Sequence, residues 1–453
     1  MRAIPSLKIS ISGVRGVVGE ALTPALLARF AQAFGTYLGG GRVVVGRDPR
    51  TSGEMVRQAV AGGLLSSGCR IVDIGVCPTP TLQLMVRQLG ARGGIAITAS
   101  HNPPEWNALK FVGADGLFLS ADRGHELLDI YHQGDYTKAR GARMRPIEYR
   151  TDAHDAHIGA IVKALGAPRP ARPLRAVLDA CNGAGALVTP RLFEALGVEV
   201  TTINGRPDGT FPRPAEPLPE HLGDLCGAVR RHEADVGFAQ DMDADRLAIV
   251  SERGDAIGEE RTLVLAACAI LSKTPGPVVA NISTTHALDG VAARFGCRVF
   301  RTKVGEANVA DAMRRHRAIL GGEGNGGVIY PAINFARDSL VGIALVLHLL
   351  ADTGRSVSAL VADLPAWEMV KYRLDCPSHR IADVLRRVRE AYAAADVNLL
   401  DGVKVTLPEG WFLLRGSNTE PVLRIIAEAS TMAGAARLGE RVLAQVNLWL
   451  RDV

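Results

Sequence analysis

Four short stretches of this 453-residue sequence hold residue types that can do chemistry. The first runs Thr98-Ala-Ser-His-Asn-Pro-Pro-Glu-Trp-Asn-Ala-Leu-Lys110 and follows Ile95 to Thr98, a run that predicts a buried strand. Open α/β sheets place their ligands at strand ends. Ser100, beside His101 and Asn102 and stiffened by Pro103 and Pro104, is therefore suited to be a held nucleophile or a phosphate carrier. The same Ser/Asn/Pro cluster also suits a plain turn. No G-x-S-x-G elbow surrounds Ser100, which disfavours ordinary serine hydrolysis.

The second stretch is Asp241-Met-Asp-Ala-Asp-Arg246, between the strand-like runs Val236 to Ala239 and Leu247 to Val250. Asp241, Asp243 and Asp245, at alternating positions in a loop, gather hard oxygen ligands of the kind that suit Mg²⁺ or Ca²⁺. Crowded carboxylates need a cation to stay ionised. An EF-hand is excluded by Arg246 at the sixth loop position, where glycine is required, and by flanking strands where helices belong. The third stretch, Gly321-Gly-Glu-Gly-Asn-Gly-Gly327, sets Glu323 and Asn325 among glycines that let backbone approach a ligand, and it matches neither a P-loop nor a dinucleotide fingerprint. The fourth, Arg415-Gly-Ser-Asn-Thr-Glu-Pro421, offers Arg415, Ser417, Asn418 and Thr419 as a cradle for a phosphate, or simply a polar hairpin turn.

These stretches need a scaffold to bring them together. The predicted strands Arg42 to Val45, Arg70 to Ile74 and Ile95 to Thr98 alternate with helices over Glu54 to Leu65 and Thr79 to Leu89, a βαβ rhythm. The rhythm resumes at Leu174 to Leu178, Leu187 to Leu196 and Val198 to Ile203, and again at Glu259 to Leu271, Val278 to Ile282, Arg298 to Arg301 and Ala307 to Arg315. After Pro365 the order changes to a strand (Met369 to Leu374), a helix (Ile381 to Ala393), a group of strands (Val403 to Ala427) and a closing helix (Ala433 to Trp449), an α+β pattern. Gln133 to Arg150 lacks periodicity and reads as a connection. The expected domains are 1–146 with the serine loop, 147–254 with the aspartate loop, 255–365 with the glycine-rich loop, and 366–453 with the Arg415 loop. No short-period repeat is visible, so kinship among the first three is a structural expectation.

Composition narrows the class. With 47% apolar and 22% charged residues the chain is that of a globular protein. A net charge of +5 without a segregated basic block implies no nucleic-acid partner. The apolar runs Leu263 to Leu271 and Leu340 to Leu350 fall short of the roughly 20 residues a bilayer span needs and read as buried helices. The start, MRAIPSLKIS, shows no export signal. Seven scattered cysteines suggest neither disulfides nor a zinc knuckle, so the cytoplasm is the expected compartment, with no membrane partner and a monomer or homodimer as the expected state.

Taken together and in order, the four stretches resemble the site loops of the α-D-phosphohexomutases over essentially the whole chain. Gly13-Val-Arg-Gly16, Gly46-Arg-Asp-Pro-Arg-Thr-Ser-Gly53 and Arg337-Asp-Ser339 support the resemblance. It implies three related mixed α/β domains and a smaller α+β fourth domain around a central cleft. It also implies an enzyme that interconverts hexose or hexosamine 6-phosphate and 1-phosphate through phosphorylated Ser100 and a hexose 1,6-bisphosphate, which is both intermediate and activator. By that resemblance Mg²⁺ is held by Asp241, Asp243, Asp245 and a Ser100 phosphate oxygen, and Lys110 transfers a proton. Arg15 and Arg246 steady the active phosphate. Lys303 orients the sugar, Glu323 and Asn325 hold its hydroxyls, and Arg415, Ser417, Asn418 and Thr419 grip the phosphate not being transferred.

Three positions depart from the family's pattern: Met242 and Ala108 stand where glycine is frequent, and Gly327 stands where many members end the sugar loop with histidine. A proton-transfer role carried by that histidine elsewhere falls to His101 or Lys110. The Gly-Glu-Gly-Asn-Gly-Gly form is similar to an archaeal-type subgroup of phosphoglucosamine or phosphomannose mutases, and glucosamine phosphate is the first expectation ahead of glucose and mannose phosphates. The competing readings are a sugar-phosphate sensor without turnover, and a metal-dependent phosphatase or phosphotransferase. A two-metal hydrolase would need further His and Asp clusters, which the sequence lacks.

Overall fold

The computed structural model describes residues 7–10, 13–141, 144–416 and 422–451. The first unit comprises β1 (Leu7–Ser10), β2 (Gly13–Val17), α1 (Pro24–Tyr37), β3 (Gly41–Arg47), α2 (Gly53–Ser66), β4 (Cys69–Val76), α3 (Thr79–Gln88), β5 (Gly93–Ile97), β6 (Trp106–Gly113), α4 (Ala121–Gln133) and β7 (Glu148–Tyr149). Its sheet runs β1-β2-β6-β5-β3-β4-β7. β7 lies inside the stretch read from sequence as an aperiodic connection; at two residues it is too short to show a period, yet it pairs in parallel with β4.

The second unit holds α5 (Ala153–Leu165), β8 (Arg175–Asp179), α6 (Gly185–Leu196), β9 (Glu199–Ile203), α7 (Gly223–Arg231), β10 (Val236–Gln240) and β11 (Leu247–Ser251). The third holds α8 (Glu260–Leu271), β12 (Val278–Asn281), α9 (Ala287–Arg294), β13 (Val299–Thr302), α10 (Glu306–His316), β14 (Leu320–Glu323), β15 (Gly327–Ile329), α11 (Ser339–Thr353) and α12 (Val357–Ala362). Their sheets run β11-β10-β8-β9 and β15-β14-β12-β13.

These two sheets share one topology with the centre of the first, β6-β5-β3-β4. In each, strand one pairs in parallel with strand two and strand three, and strand four folds back antiparallel on strand three. The kinship that no sequence repeat reveals is thus present in the strand order. It has a functional consequence. The serine, aspartate and glycine-rich loops each join strand three to strand four of their unit, so the three loops are topologically equivalent.

The fourth unit is β16 (Glu368–Asp375), α13 (Ser378–Ala391), β17 (Asp396–Asn398), β18 (Val403–Leu407), β19 (Gly410–Gly416), β20 (Val422–Ala429) and α14 (Met432–Arg451). Its sheet, β16-β20-β19-β18-β17, is antiparallel throughout. The alternation in β16 reflects one covered face, on which α14 lies over Val370, Tyr372 and Leu374.

α11 is apolar around its whole circumference because it is buried on all sides, with Leu340 to Leu350 enclosed. Asp338 caps it, accepting from the Leu340 and Val341 N–H groups, and Gly354 ends it in the left-handed region. It fills a core common to the second and third units, which joins Leu178, Phe238 and Leu247 to Leu263, Val278 and Leu320. The first and fourth units have separate cores. Among the described residues no helix is long and apolar enough to cross a membrane.

Candidate active site

Ser100 follows β5 in a loop whose shape is fixed from below. Its φ of +50° lies in the left-handed region, uncommon for a side chain larger than glycine's, and such a residue persists only where its surroundings over-determine it. Arg50, 1% exposed, supplies that determination. Its guanidinium pairs with Asp48 at 3.0 Å and donates to the carbonyls of Ser100 (2.7 Å), Asn102 (2.7 Å), Pro103 (2.6 Å) and Trp106 (3.0 Å). The Phe211 ring closes over it at 4.9 Å. Asp48 also accepts from Thr98 Oγ1 at 2.6 Å, and Thr98 Oγ1 accepts from the Ser100 N–H at 2.9 Å.

The Ser100 hydroxyl then points across the boundary between units, donating to Asp241 Oδ2 at 2.9 Å. His101 Nδ1 lies 3.4 Å from Ser100 Oγ. Arg15, on β2, donates to Asn102 Oδ1 at 3.3 Å. His101 is held well below the usual imidazole range by the charge of Arg246, then by burial and by Arg15 and Lys110, so it stands as a neutral ring.

The aspartate loop connects β10 to β11, and Asp241, Asp243 and Asp245 are all fully buried. One carboxylate oxygen from each lies within 4.8 Å of the others. Asp241 Oδ1 accepts from the Asp245 and Arg246 N–H groups, which curls the loop around that carboxylate. Asp243 is anchored from the first unit by Thr79 Oγ1 (2.6 Å) and Lys110 Nζ (2.7 Å). Burial pushes the Asp241 carboxyl well up, reinforced by Asp245 and Asp243; Asp243 goes the other way, because Lys110 and Thr79 outweigh its burial. Asp243 Oδ1 and Asp245 Oδ1 are enclosed and without a hydrogen-bond partner. Buried carboxylate oxygens without a donor are costly unless a cation meets them, so the residues fit a hard divalent ion. Arg246, 8% exposed, turns from this loop to Glu216 at 2.7 Å.

The glycine-rich loop connects β14 to β15 and leans on the aspartate loop. Gly326, at φ +86°, accepts the Leu247 N–H on its carbonyl at 3.0 Å, and a Cβ there would lie 2.3 Å from Leu247 O. Glu323 is 2% exposed and occupied on both oxygens. Oε1 accepts from Asn281 Nδ2 (2.8 Å) and the Gly305 N–H (2.7 Å), and Oε2 from Arg337 (2.8 Å). These donors outweigh burial and hold its carboxyl below the usual range. Asn325 is half-buried, its Oδ1 accepting from the Gly327 N–H at 3.2 Å. Lys303 is exposed just beyond β13.

Arg415, at the end of β19, is ion-paired with Asp401 at 3.3 Å. Asp401 also accepts from the Val304 N–H at 2.9 Å, tying the fourth unit to the β13–α10 turn beside Lys303. Ser417, Asn418 and Thr419 lie outside the described residues. A chain of polar contacts runs from Arg415 through Asp401, the Val304–Gly305 backbone, Glu323 and Arg337 to Asp245, which reaches Lys110 and Asp243 on one side and, through its N–H, Asp241 and Ser100 on the other.

Several participants had no assigned role in the sequence: Arg50, Thr79, Glu216, Glu306 and Arg337. For two of them a signal exists. Arg50 sits in the turn after a buried strand, and Arg337 precedes a capping Asp and a wholly apolar helix, so both are charges placed where burial is unavoidable. Of the departures noted in the sequence, Ala108 and Met242 are buried without distortion, their carbonyls accepting from the Thr98 and Ala184 N–H groups.

Comparison with known proteins covers the whole molecule. Residues 7–138, 153–254, 259–367 and 373–445 match, in order, the phosphoglucomutase/phosphomannomutase alpha/beta/alpha domains I, II and III and the C-terminal domain. A probable phosphoglucosamine mutase of Methanopyrus kandleri is 40% identical, with 98% of each chain covered. A phosphoglucomutase/phosphomannomutase of Thermococcus kodakarensis is 38% identical over 92% of this chain and 94% of its own. Among solved structures, a phosphoglucomutase/phosphomannomutase family protein of Burkholderia thailandensis superposes with a TM-score of 0.85 at 31% identity, covering 99% of this chain and 98% of its own.

Proposed function

The chain belongs to the phosphoglucomutase/phosphomannomutase family, and on that premise we propose that this phosphohexomutase interconverts glucosamine 6-phosphate and glucosamine 1-phosphate through phosphorylated Ser100. The observation that carries the reading is the 2.9 Å contact between Ser100 Oγ, from the first unit, and Asp241, from the second. A phosphate on that oxygen would stand at the mouth of the aspartate cluster. Asp241, Asp243 and Asp245 would hold Mg²⁺ there, and the ion, when bound, offsets the charge of the transferring phosphoryl group.

The chain's own residues do the rest. In the first half-reaction the bond from phosphorus to Ser100 Oγ breaks and one to a sugar hydroxyl forms, giving the hexosamine 1,6-bisphosphate. The sugar hydroxyl gives its proton to the neutral His101, while Lys110, an ammonium held on Asp243, gives one to Ser100 Oγ as it leaves. In the second half-reaction the bond from the opposite phosphorus to its sugar oxygen breaks and one to Ser100 Oγ forms, the serine proton returns to Lys110, His101 protonates the sugar oxygen, and the isomer leaves. Arg15 and Arg246 supply fixed positive charge beside the phosphate. Lys303, Glu323 and Asn325 orient the ring, and Arg415 with Ser417, Asn418 and Thr419 holds the phosphate at rest. Bisphosphate that escapes would return to rephosphorylate Ser100, which makes it an activator as well.

The glucosamine preference rests on the name of the Methanopyrus kandleri relative; the Thermococcus kodakarensis relative makes mannose and glucose phosphates the second reading. Purified, Mg²⁺-loaded protein assayed on the phosphates of all three sugars tests both. Glucosamine phosphate is expected to have the highest kcat/KM, and Ser100→Ala to lose turnover. Faster conversion of mannose or glucose phosphate would overturn the sugar assignment.

A further inference from the structure

We infer that Arg337 is a positioning residue that sets how tightly the aspartate cluster binds its divalent ion and couples that cluster to the sugar loop, an inference resting on the reading of Asp241, Asp243 and Asp245 as ligands. Its guanidinium, with the side chain 11% exposed, is shared by three carboxylates: Asp245 at 2.5 Å, Glu323 at 2.8 Å and Glu306 at 3.1 Å. Asp245 belongs to the second unit, Glu323 and Glu306 to the third. A planar, multiply donating cation spans such a set where an ammonium group cannot.

The backbone around Arg337 is fixed as firmly as its head group. The Asp338 N–H donates to Val328 O at 2.8 Å, and Asp338 begins the buried α11. Room for the aliphatic stem comes from Gly327. A Cβ on that residue would lie 2.3 Å from Arg337 Cδ and 2.9 Å from Cγ, and Gly327 has no left-handed φ to require glycine. What demands glycine at 327 is the arginine, so Gly327 and Arg337 form one device. The missing side chain at the end of the sugar loop makes room for a cation between that loop and the aspartates.

Two consequences follow from the charges. One Asp245 oxygen is taken by Arg337, while the other is buried without a hydrogen-bond partner, 3.9 Å from Arg246 Nε. A fixed positive charge against a ligand carboxylate weakens the cluster's attraction for a dication. The same rigid plane binds Glu323, so a rearrangement of the sugar loop is felt at Asp245. Charge and bridging are separable by mutation: glutamine removes the charge, and lysine keeps it without spanning three carboxylates.

The test is Mn²⁺ binding to full-length protein by calorimetry and electron paramagnetic resonance, with the phosphate content of Ser100 matched by intact mass and the fold checked by circular dichroism. Arg337→Gln is expected to bind Mn²⁺ about tenfold more tightly, the effect of one partly screened charge a few ångströms away, while kcat on the sugar phosphate falls at least about tenfold. Arg337→Lys should keep the Mn²⁺ affinity within about twofold and still lose kcat. Gly327→Ala, which displaces the arginine without removing it, should shift both quantities in the direction of Arg337→Gln and serves if that variant does not fold. Equal or weaker Mn²⁺ binding by Arg337→Gln, the outcome of a purely structural role, overturns the inference and leaves the mutase reading standing. Wild-type protein that binds no Mn²⁺ overturns the inference together with the assignment of the aspartates.

Discussion

Arg50 shows what a single residue contributes when its entire donor set is used. It touches no reacting atom in the proposed chemistry, yet it joins Asp48 to four carbonyls of the loop that carries Ser100. Removing one partner of a buried pair leaves the other charged and unsolvated, at a cost of about 3–5 kcal/mol. Arg50→Met should therefore lower stability by about that much, read as the denaturant midpoint, and Arg50→Lys should recover little because an ammonium lacks the planar fork. A midpoint unchanged by Arg50→Met would mean the loop holds its shape without it. Ser100 and the three aspartates were legible in sequence because their types and spacing are unusual for a turn. Arg50 and Arg337 were visible only as members of supporting motifs and Glu306 was given no role, because the role of each is defined by what distant segments bring to it.

Among elements, the repeated strand-three to strand-four hairpin explains why three loops far apart in the chain meet. Each is delivered from the carboxyl end of a parallel strand, where α/β sheets expose their ligand sites. Strands β3, β4 and β12 were readable as short β-branched runs. Helices α1, α4, α5, α7, α9 and α12 were not named from sequence; α1 carries a clear stripe, Leu27, Phe30, Ala31 and Phe34, that could have named it, while the short α7, α9 and α12 offer too few turns to show a period. On β18, Lys404 makes a pH-dependent joint with the third unit. Its Nζ meets Ile282 O and His286 Nε2 at 3.1 Å each, beneath the Trp411 ring and near Glu428 and Arg301. Burial, then Arg301, brings its pKa down to about 7, while the unfolded chain keeps an ordinary lysine. Between the two values the unfolded state binds more protons, so stability rises with pH. From pH 7 to 9 this group should add about 2 kcal/mol, a gain that Lys404→Met abolishes when denaturation is followed across that range. A variant with the same pH slope as wild type would show that Lys404 is not the titrating group.

At the scale of the whole molecule, the second and third units share one core, while the fourth meets the third through a small apolar cluster, Ile282 with Trp411, Leu413 and Ile426, flanked by polar contacts. Lys371 with Glu259 and Glu260, Arg261 with Glu368, and Asp401 with the Val304 N–H supply those contacts. In the proposed mechanism the bisphosphate turns over within the cleft, and an interface of this modest kind would let the fourth unit shift with it. The first three units are bolted together elsewhere: His157 Nδ1 lies 2.8 Å from Thr81 Oγ1 of the first, and Nε2 lies 2.7 Å from Asp338 Oδ2 of the third. His157→Ala leaves Thr81 and Asp338 buried without this partner and should cost about 2–4 kcal/mol, with faster hydrogen exchange in α3, α5 and the start of α11 alike. Exchange that rises in α5 alone would mean that the bolt is not shared. The account as a whole is tested most directly by labelling Ser100 with radioactive phosphate and mixing the protein with unlabelled glucosamine 6-phosphate in a single turnover. The label should leave Ser100 and appear in the sugar bisphosphate and monophosphates at the rate of isomerisation. Label that stays on the protein, or emerges only as inorganic phosphate, would contradict the transfer of a seryl phosphate to the sugar.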